Sequence, residues 1–325
     1  MGAVRDVCVI GLGLIGGSVL RAAARAGRTV WGATASTSDA EAAVADGFDA
    51  STDVAGALRK AAATDALVVL AVPLTALRSV LTAVAEHAPD CLLTDVTSVK
   101  VPVRDSVRAT APSVTFVGGH PMAGSAESGW AASTSGLFDG AAWVLTVESD
   151  TDLAAWREVA TLALDCGAHV VPLDAEVHDE TAARISHLPH LLAAVLASIG
   201  AAGGPVAAAL AAGSFTDGTR VAGTRPELVR AMTEGNRAAL LPVLDEALGA
   251  LGAARGSLAS TGGLAATIDA GHTAARRVAE HRRANRTSRS VRLSASDARQ
   301  ALLAVGDRGG RITAFDGDVA LAEVP

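Results

Sequence analysis

Tyrosine is absent from this chain of 325 residues, and phenylalanine and tryptophan number only five and four. Large rings therefore cannot dominate the core, and no phenol is available for acid–base work. Lysine is almost absent. Lys60 and Lys100 are the only two, so nearly all positive charge is arginine. The net charge is −7, and a mildly acidic chain without a basic face excludes bulk nucleic-acid binding. The three cysteines, Cys8, Cys91 and Cys166, lie too far apart in sequence for a disulfide framework or a zinc site. They point to a reducing cytoplasm.

Long unbroken apolar runs are also missing. Residues 7–20 carry no charge but are interrupted by glycines, and only Arg5 and Asp6 stand close before them. That is not the basic leader and cleavage site of a secretory signal. Residues 191–216 are uncharged too, but they are mostly Ala and Gly with Gly203-Gly204-Pro205 in the middle. The pattern predicts two buried helices rather than one span, and no membrane partner is expected. About half of the chain is hydrophobic, alanine makes up about a fifth of it, and disorder is excluded for most of the length.

Short apolar runs at 7–10, 29–31, 67–72, 92–94 and 114–117 alternate with helical patterns at 14–26, 39–46, 54–63, 75–87 and 101–109. Such alternation predicts α/β architecture, a doubly wound parallel sheet with helices on both faces. Residues 142–147, 152–164 and 169–172 are read as extending that sheet. Beyond Leu173 the strand signals stop, and residues 180–280 are Ala- and Leu-rich with helical spacing. The expected domains are 1–173, nucleotide-binding, and 174–284, all-helical. Residues 285–325 are left as an unassigned tail, with 312–324 read as a strand or a loose end. The arginines of 276–292 are read as a solvated face or a disordered link. No internal repeat is visible.

Gly11-Leu12-Gly13-Leu14-Ile15-Gly16 follows the first strand-like run and opens the first helix. This is the setting that the dinucleotide fingerprint of a Rossmann fold requires. One glycine makes the tight turn, the next admits the pyrophosphate, and the third lets helix and strand pack. The phosphates then meet the free N–H groups of the helix N-terminus. Thr34, Ser36 and Val72 complete the expected cofactor contacts. An NAD site places an acid at the end of the second strand. Here Thr34 to Ser38 hold hydroxyls and no acid, and Asp39 is read as a helix N-cap. The segment tilts the cofactor towards NADP, or use of both NAD and NADP.

Polar residues crowd three further segments: 95–100 (DVTSVK), 118–125 (GGHPMAGS), and, in the helical half, 186–190 (SHLPH) with 213–226 (GSFTDGTRVAGTRP). The first two follow strands, where the ligand crevice of an open α/β sheet lies. Together with GLGLIGGS at 11–18, these motifs resemble, in order, the prephenate and arogenate dehydrogenases of tyrosine biosynthesis. The resemblance runs from residue 11 to Asn236, about two-thirds of the chain. It implies a helical C-terminal domain that forms a homodimer. It also implies oxidative decarboxylation of a cyclohexadienol with NAD or NADP.

The implied chemistry suits the residues. Hydride must leave the hydroxyl-bearing ring carbon, and a base on that hydroxyl assists it. His120 suits the role near neutral pH, and Ser98 can hold the hydroxyl or the imidazole in register. Loss of carbon dioxide leaves an aromatic ring, so no metal is required. By resemblance, Arg220 grips a substrate carboxylate, with His187, Gly213 and Asp217 lining the pocket.

Plainer readings stand beside these. His120 can be a loop residue bonded to a carbonyl, Ser98 a cap for the helix near Val101, and Asp217 the partner of an arginine. Lys100 reads as a solvated lysine or a partner of Asp95, His178, Asp179 and His190 as structural, and Asn236 as helix packing or substrate contact. Two other functions are weighed. Dehydrogenases of 3-hydroxy acids share the two-domain plan but use a lysine in the helical domain, and no lysine follows Lys100. A non-catalytic nucleotide sensor would not need Ser98, His120 and Arg220 together.

Overall fold

The computed structural model describes residues 4–125 and 127–325. By packing the chain divides into two compact units. One runs to Asp179 and takes in Ser288–Val324; the other is Glu180–Thr287.

In the first unit, β1 (Val7–Ile10), β2 (Val30–Ala33), β3 (Ala50–Ser51), β4 (Leu67–Leu70), β5 (Leu93–Asp95) and β6 (Phe116–Val117) alternate with helices. The helices are α1 (Leu14–Arg25), α2 (Thr37–Ala45), α3 (Val54–Thr64), α4 (Leu74–His87) and α5 (Val101–Thr110). The strands pair in parallel in the order β3-β2-β1-β4-β5-β6, the doubly wound order expected. Their residues are apolar on both faces because both faces are covered. Val7, Val9, Leu67 and Val69 point into a core with Val19 and Leu20 of α1. Cys8, Ile10, Val68 and Leu70 point the other way, to Leu58, Leu77, Leu81 and Val103 of α3 to α5. Register aligns Ile10 with Leu70 and Leu70 with Asp95. The loops after β1, β4 and β5 therefore leave from one edge of the sheet.

The later strands do not extend that sheet. β7 (Gly119–Pro121), β8 (Ala142–Thr146) and β9 (His169–Leu173), with α6 (Leu153–Asp165) between the last two, belong to a second sheet. The chain crosses over at Gly118, whose amide donates to Thr146 Oγ1 at 3.1 Å. The next amide, of Gly119, is taken by Asp95 Oδ1 at 3.0 Å. A β-carbon on Gly119 would lie 2.6 Å from the Asp95 carbonyl oxygen, so only glycine permits the crossing there.

The C-terminal residues are not a loose end. β10 (Thr287–Arg292), α14 (Ala298–Asp307), β11 (Arg311–Asp316) and β12 (Val319–Val324) complete the second sheet in the order β10-β12-β11-β9-β8-β7. Val291, Leu302, Val305, Ile312 and Val324 join the core that holds Val7 and Val9. Ile312 pairs antiparallel with Val170. The arginines of 289–292 thus sit on an ordered strand, not in a link. Those of 276–283 lie exposed on a helix, as a solvated face.

The second unit is helical: α8 (Leu188–Ala201), α9 (Gly204–Leu210), α10 (Gly213–Thr219), α11 (Pro226–Gly235), α12 (Arg237–Thr261) and α13 (Ala265–Arg283). It is entered through α7 (Ala175–Ala182) and a π turn at Ala183–His187. The break at Gly203-Gly204-Pro205 falls where the sequence places it, but the two helices beside it are not buried. Among their described residues only Ala193 is, while Ile199, Val206 and Leu210 stand 68–75% exposed. One helical run, Ala175–Ala201, is long and apolar enough, by length and composition, to cross a membrane.

Gly306 of α14 seats the C-terminal segment on β9: a β-carbon there would lie 1.7 Å from the Pro172 carbonyl oxygen. Overpacking a site that cannot yield costs at least about 1–3 kcal/mol. Gly306→Ala is expected to lower the denaturant midpoint accordingly. An unchanged midpoint would show that α14 does not rest on β9.

Candidate active site

The glycine loop has the shape that a dinucleotide needs. Gly11 has φ +102°, and its β-carbon would lie 2.3 Å from the Ala71 carbonyl oxygen. Only glycine allows that turn against β4. A β-carbon on Gly16 would lie 1.8 Å from the Gly11 carbonyl oxygen, so this glycine lets α1 close on the strand. Gly13 is different: nothing lies within 4 Å of its β-carbon position. It is the N-cap of α1, with no side-chain cap and no acid in the first turn. The open side of the loop thus presents unshielded N–H groups, the donor set an anion takes. Leu12 is fully buried; Leu14, Ile15 and Val72 are half-buried, and Val72 flanks Gly11.

At the end of β2 the hydroxyls are committed. Ser36, not Asp39, is the N-cap of α2, its Oγ accepting from the Asp39 amide at 3.2 Å. Thr34 Oγ1 accepts from the Ser36 amide. The Asp39 carboxylate turns to the Trp130 amide at 2.9 Å. Residues 34–38 themselves hold no acid.

Asp95, which ends β5, and Lys100 in the loop that follows form a buried pair, 0% and 1% exposed. Lys100 is therefore a partner of Asp95 and not a solvated lysine. Its Nζ donates to Asp95 Oδ2 and to the Gly119 carbonyl. Burial pulls the Lys100 pKa down, against the attraction of Asp95. Asp95 also accepts from the amides of Thr97 and Gly119. One carboxylate and one ammonium thus tie the 95–100 loop to β7, the strand that carries His120.

His120 is half-buried on β7. Its Nδ1 lies 2.8 Å from Nε2 of His178, with the two rings nearly perpendicular. The His178 Nδ1 lies 2.7 Å from Asp179 Oδ1. Asp179 in turn accepts from the amides of Lys100 at 2.7 Å and Val101 at 2.9 Å. Those are the first free donors of α5, so Asp179, not Ser98, caps that helix. Ser98 lies half-buried in the same loop. Burial lowers the His178 pKa despite Asp179. Burial opposes ionisation of Asp179, but the donors from His178, Lys100 and Val101 outweigh it and lower its pKa. His178 and Asp179, read from sequence as merely structural, are thus linked to His120. Their adjacency was visible; a partner 58 residues earlier was not.

In the second unit, His187 ends the π turn, the kind of helix irregularity found at functional sites. It is 1% exposed and accepts at Nδ1 from the Asn236 side chain at 3.0 Å. Asn236 is equally buried, at the junction of α11 and α12. Gly213 opens α10, Asp217 lies within it, and Arg220 follows it. All three are exposed. Among the described residues neither Asp217 nor Arg220 forms an ion pair, so Asp217 is not an arginine's partner in this unit. His190 lies 2.8 Å from the Ser186 carbonyl, a structural bond.

Two family models match this arrangement: the prephenate dehydrogenase nucleotide-binding domain over residues 17–172, and its dimerization domain over 174–261. The chain belongs to the prephenate dehydrogenase family. The Bacillus subtilis prephenate dehydrogenase is 35% identical over 76% of this chain and 68% of its own length. The Zymomonas mobilis cyclohexadienyl dehydrogenase is 34% identical over 80% and 90%. A Corynebacterium glutamicum crystal structure, of a protein provisionally named a prephenate dehydrogenase, is 44% identical. It has a TM-score of 0.90 and covers 96% of this chain and 99% of its own. In this family setting the chain is a dehydrogenase with a nicotinamide-nucleotide domain.

Removing one member of a buried ion pair strands the other charge, at about 3–5 kcal/mol. Lys100→Met is expected to lower unfolding free energy by that amount, and adding Asp95→Asn to recover much of it. Equal losses in single and double variants would remove the pair from the account. His178 also sets a pH dependence. Its folded pKa is below its unfolded value near 6.5, so below that pH the unfolded chain binds the proton first. Stability should fall on acidification from there, by at most about 1.4 kcal/mol per pH unit. His178→Phe should flatten that stretch; an unchanged slope assigns it to other groups.

Proposed function

We propose that the chain oxidises prephenate to 4-hydroxyphenylpyruvate with loss of carbon dioxide, passing hydride to NAD or NADP. The observation that carries this reading is the place of His120: a half-buried imidazole beside the loop at the carboxyl edge of β5, on the edge that also holds the glycine loop. The nicotinamide, when bound, supplies the hydride acceptor. Gly11, Leu12, Gly13, Leu14, Ile15 and Gly16 are the residues to hold its pyrophosphate, with Thr34, Ser36 and Val72 beside them.

In this reading His120 takes the proton of the ring hydroxyl as hydride leaves the same carbon. The carbon becomes a carbonyl. The bond to the ring carboxylate then breaks, carbon dioxide departs, and the electron pair passes through the ring to the oxygen. His120 returns its proton to that phenolate. Atoms and charge balance without a further acid, base or metal. Ser98 orients the hydroxyl or the imidazole. Arg220 holds a substrate carboxylate with a two-pronged donor, and His187, Gly213 and Asp217 shape the pocket.

The Zymomonas mobilis relative's name covers cyclohexadienyl substrates in general, which keeps arogenate as a second substrate. The lack of an acid free at the end of β2 leaves both nucleotides usable, with a tilt to NADP. The exposed apolar residues of α8, α9 and α12 together with the dimerization-domain match support a homodimer. Cys8, Cys91 and Cys166 are free and buried, in keeping with the reducing cytoplasm proposed for the protein.

Steady-state rates with prephenate and arogenate, each with NAD and NADP, test the proposal; four null results would sink it. His120→Asn is expected to cut kcat roughly 10²–10⁴-fold with little change in KM. Arg220→Gln is expected instead to raise the KM for substrate strongly. A normal KM in that variant would place the carboxylate anchor elsewhere.

A further inference from the structure

An imidazole acts as a base only through the nitrogen that lacks a proton, and a neutral ring has two tautomers. Which one His120 adopts follows from its neighbours. Asp179 is buried and accepts two backbone N–H groups, from Lys100 and Val101. A carboxylate so placed offers His178 an acceptor only. The His178 Nδ1, 2.7 Å away, must therefore carry its proton. Burial disfavours a charged His178, and in the neutral ring with its proton on Nδ1 the lone pair lies on Nε2. The His120 Nδ1, 2.8 Å from that lone pair, must then be the donor.

We propose that His178 and Asp179 are positioning residues that hold His120 as the Nδ1–H tautomer, which leaves Nε2 as the nitrogen that takes the substrate's hydroxyl proton. The inference rests on the reading of His120 as the base. During turnover the O–H bond of the substrate breaks and an N–H bond forms at Nε2. The Nδ1 proton stays between His120 and His178, and Asp179 is not protonated. The imidazolium formed is stabilised through the polarised His178 ring. The proton later returns from Nε2 to the phenolate oxygen; a bound nicotinamide nucleotide would supply the acceptor for the hydride and its electron pair. Other charges reach His178 too: Lys100 opposes its protonation, and Asp95 and Asp179 favour it. Lys100 and Asp95 neutralise each other, so Asp179 is the anion left to orient the ring.

The relay differs from a structural hydrogen bond in what it fixes, and two measurements separate them. The first is the imidazole nitrogen spectrum of the full-length, histidine-15N-labelled protein, with His120 assigned by loss of its signals in His120→Asn. Expected is a protonated, pyrrole-type Nδ1 and an unprotonated, pyridine-type Nε2. The reverse pattern overturns the proposal, and it needs no variant at His178 to be seen.

The second is kinetic. His178→Phe removes the acceptor and is expected to lower kcat about 10²-fold, the scale of a misplaced catalytic group, leaving the substrate KM nearly unchanged. His178→Gln presents an oxygen close to where Nε2 stood and is expected to keep most of kcat. In the His120→Asn background, His178→Phe should do nothing further, since groups that act as one unit are not additive. The same loss in both backgrounds, or full activity in His178→Phe, overturns the relay. Full activity in His120→Asn alone would instead sink the base assignment, so the two failures are distinguishable.

Discussion

The buried pair of Asp95 and Lys100 is the constraint on which the rest of the site depends. A charge without water is costly, and a buried carboxylate or ammonium persists only when its partners are in place. Here the partners are the chain itself. Asp95 holds the amides of Thr97 and Gly119, and Lys100 holds the Gly119 carbonyl. The loop after β5 and the first residue of β7 cannot separate without stranding one of these charges. His120 is the next residue along β7. The place where the backbone leaves one sheet for the other is therefore also the place where the candidate base is fixed.

Asp179 extends the same logic to α5 and α7. Its carboxylate caps α5 through the amides of Lys100 and Val101 and orients His178. One side chain thus links the start of α5, the helix that follows β9, and the imidazole behind His120. Four of the groups involved, Asp95, Lys100, His178 and Asp179, are 3% exposed or less. Such a network is stable only when each member is satisfied, so a change at one residue is felt along it.

Much of this was legible in the sequence. The glycine loop was, because each glycine meets a local requirement: a left-handed turn at Gly11, an open face at Gly13 and a close approach at Gly16. The first sheet was legible because its strands are covered on both faces and read as short apolar runs between helices. The second sheet was not. A run such as residues 142–146 looks the same whichever sheet receives it, and the decision was made by Gly118 and Gly119 through contacts with Thr146 and Asp95. Of the C-terminal strands, residues 312–324 were read as a strand or a loose end, while β10 was missed for a related reason. β10 shows one buried residue, Val291, among arginines and hydroxyls, because it is an edge strand. Lys100 was read as either solvated or the partner of Asp95, and its burial decides for the pair, because lysine is almost never fully buried unless paired. His178 was undervalued because nothing local marks a histidine whose partner lies on another strand.

The spacing of the relay has a chemical consequence. A carboxylate in direct contact with a histidine favours the imidazolium, and an imidazolium cannot accept the proton of a hydroxyl. Here the ring of His178 stands between the Asp179 carboxylate and His120, with the two ring centres 5.1 Å apart. Asp179 therefore sets direction more than charge. It fixes the proton on His178 Nδ1, and that fixes the proton on His120 Nδ1, while the anion itself is kept a ring's width away. In a chain without a single tyrosine, no phenol could stand in as a proton carrier if that arrangement failed. The base must be kept both neutral and correctly oriented, and a neutral imidazole interposed before an anion does both.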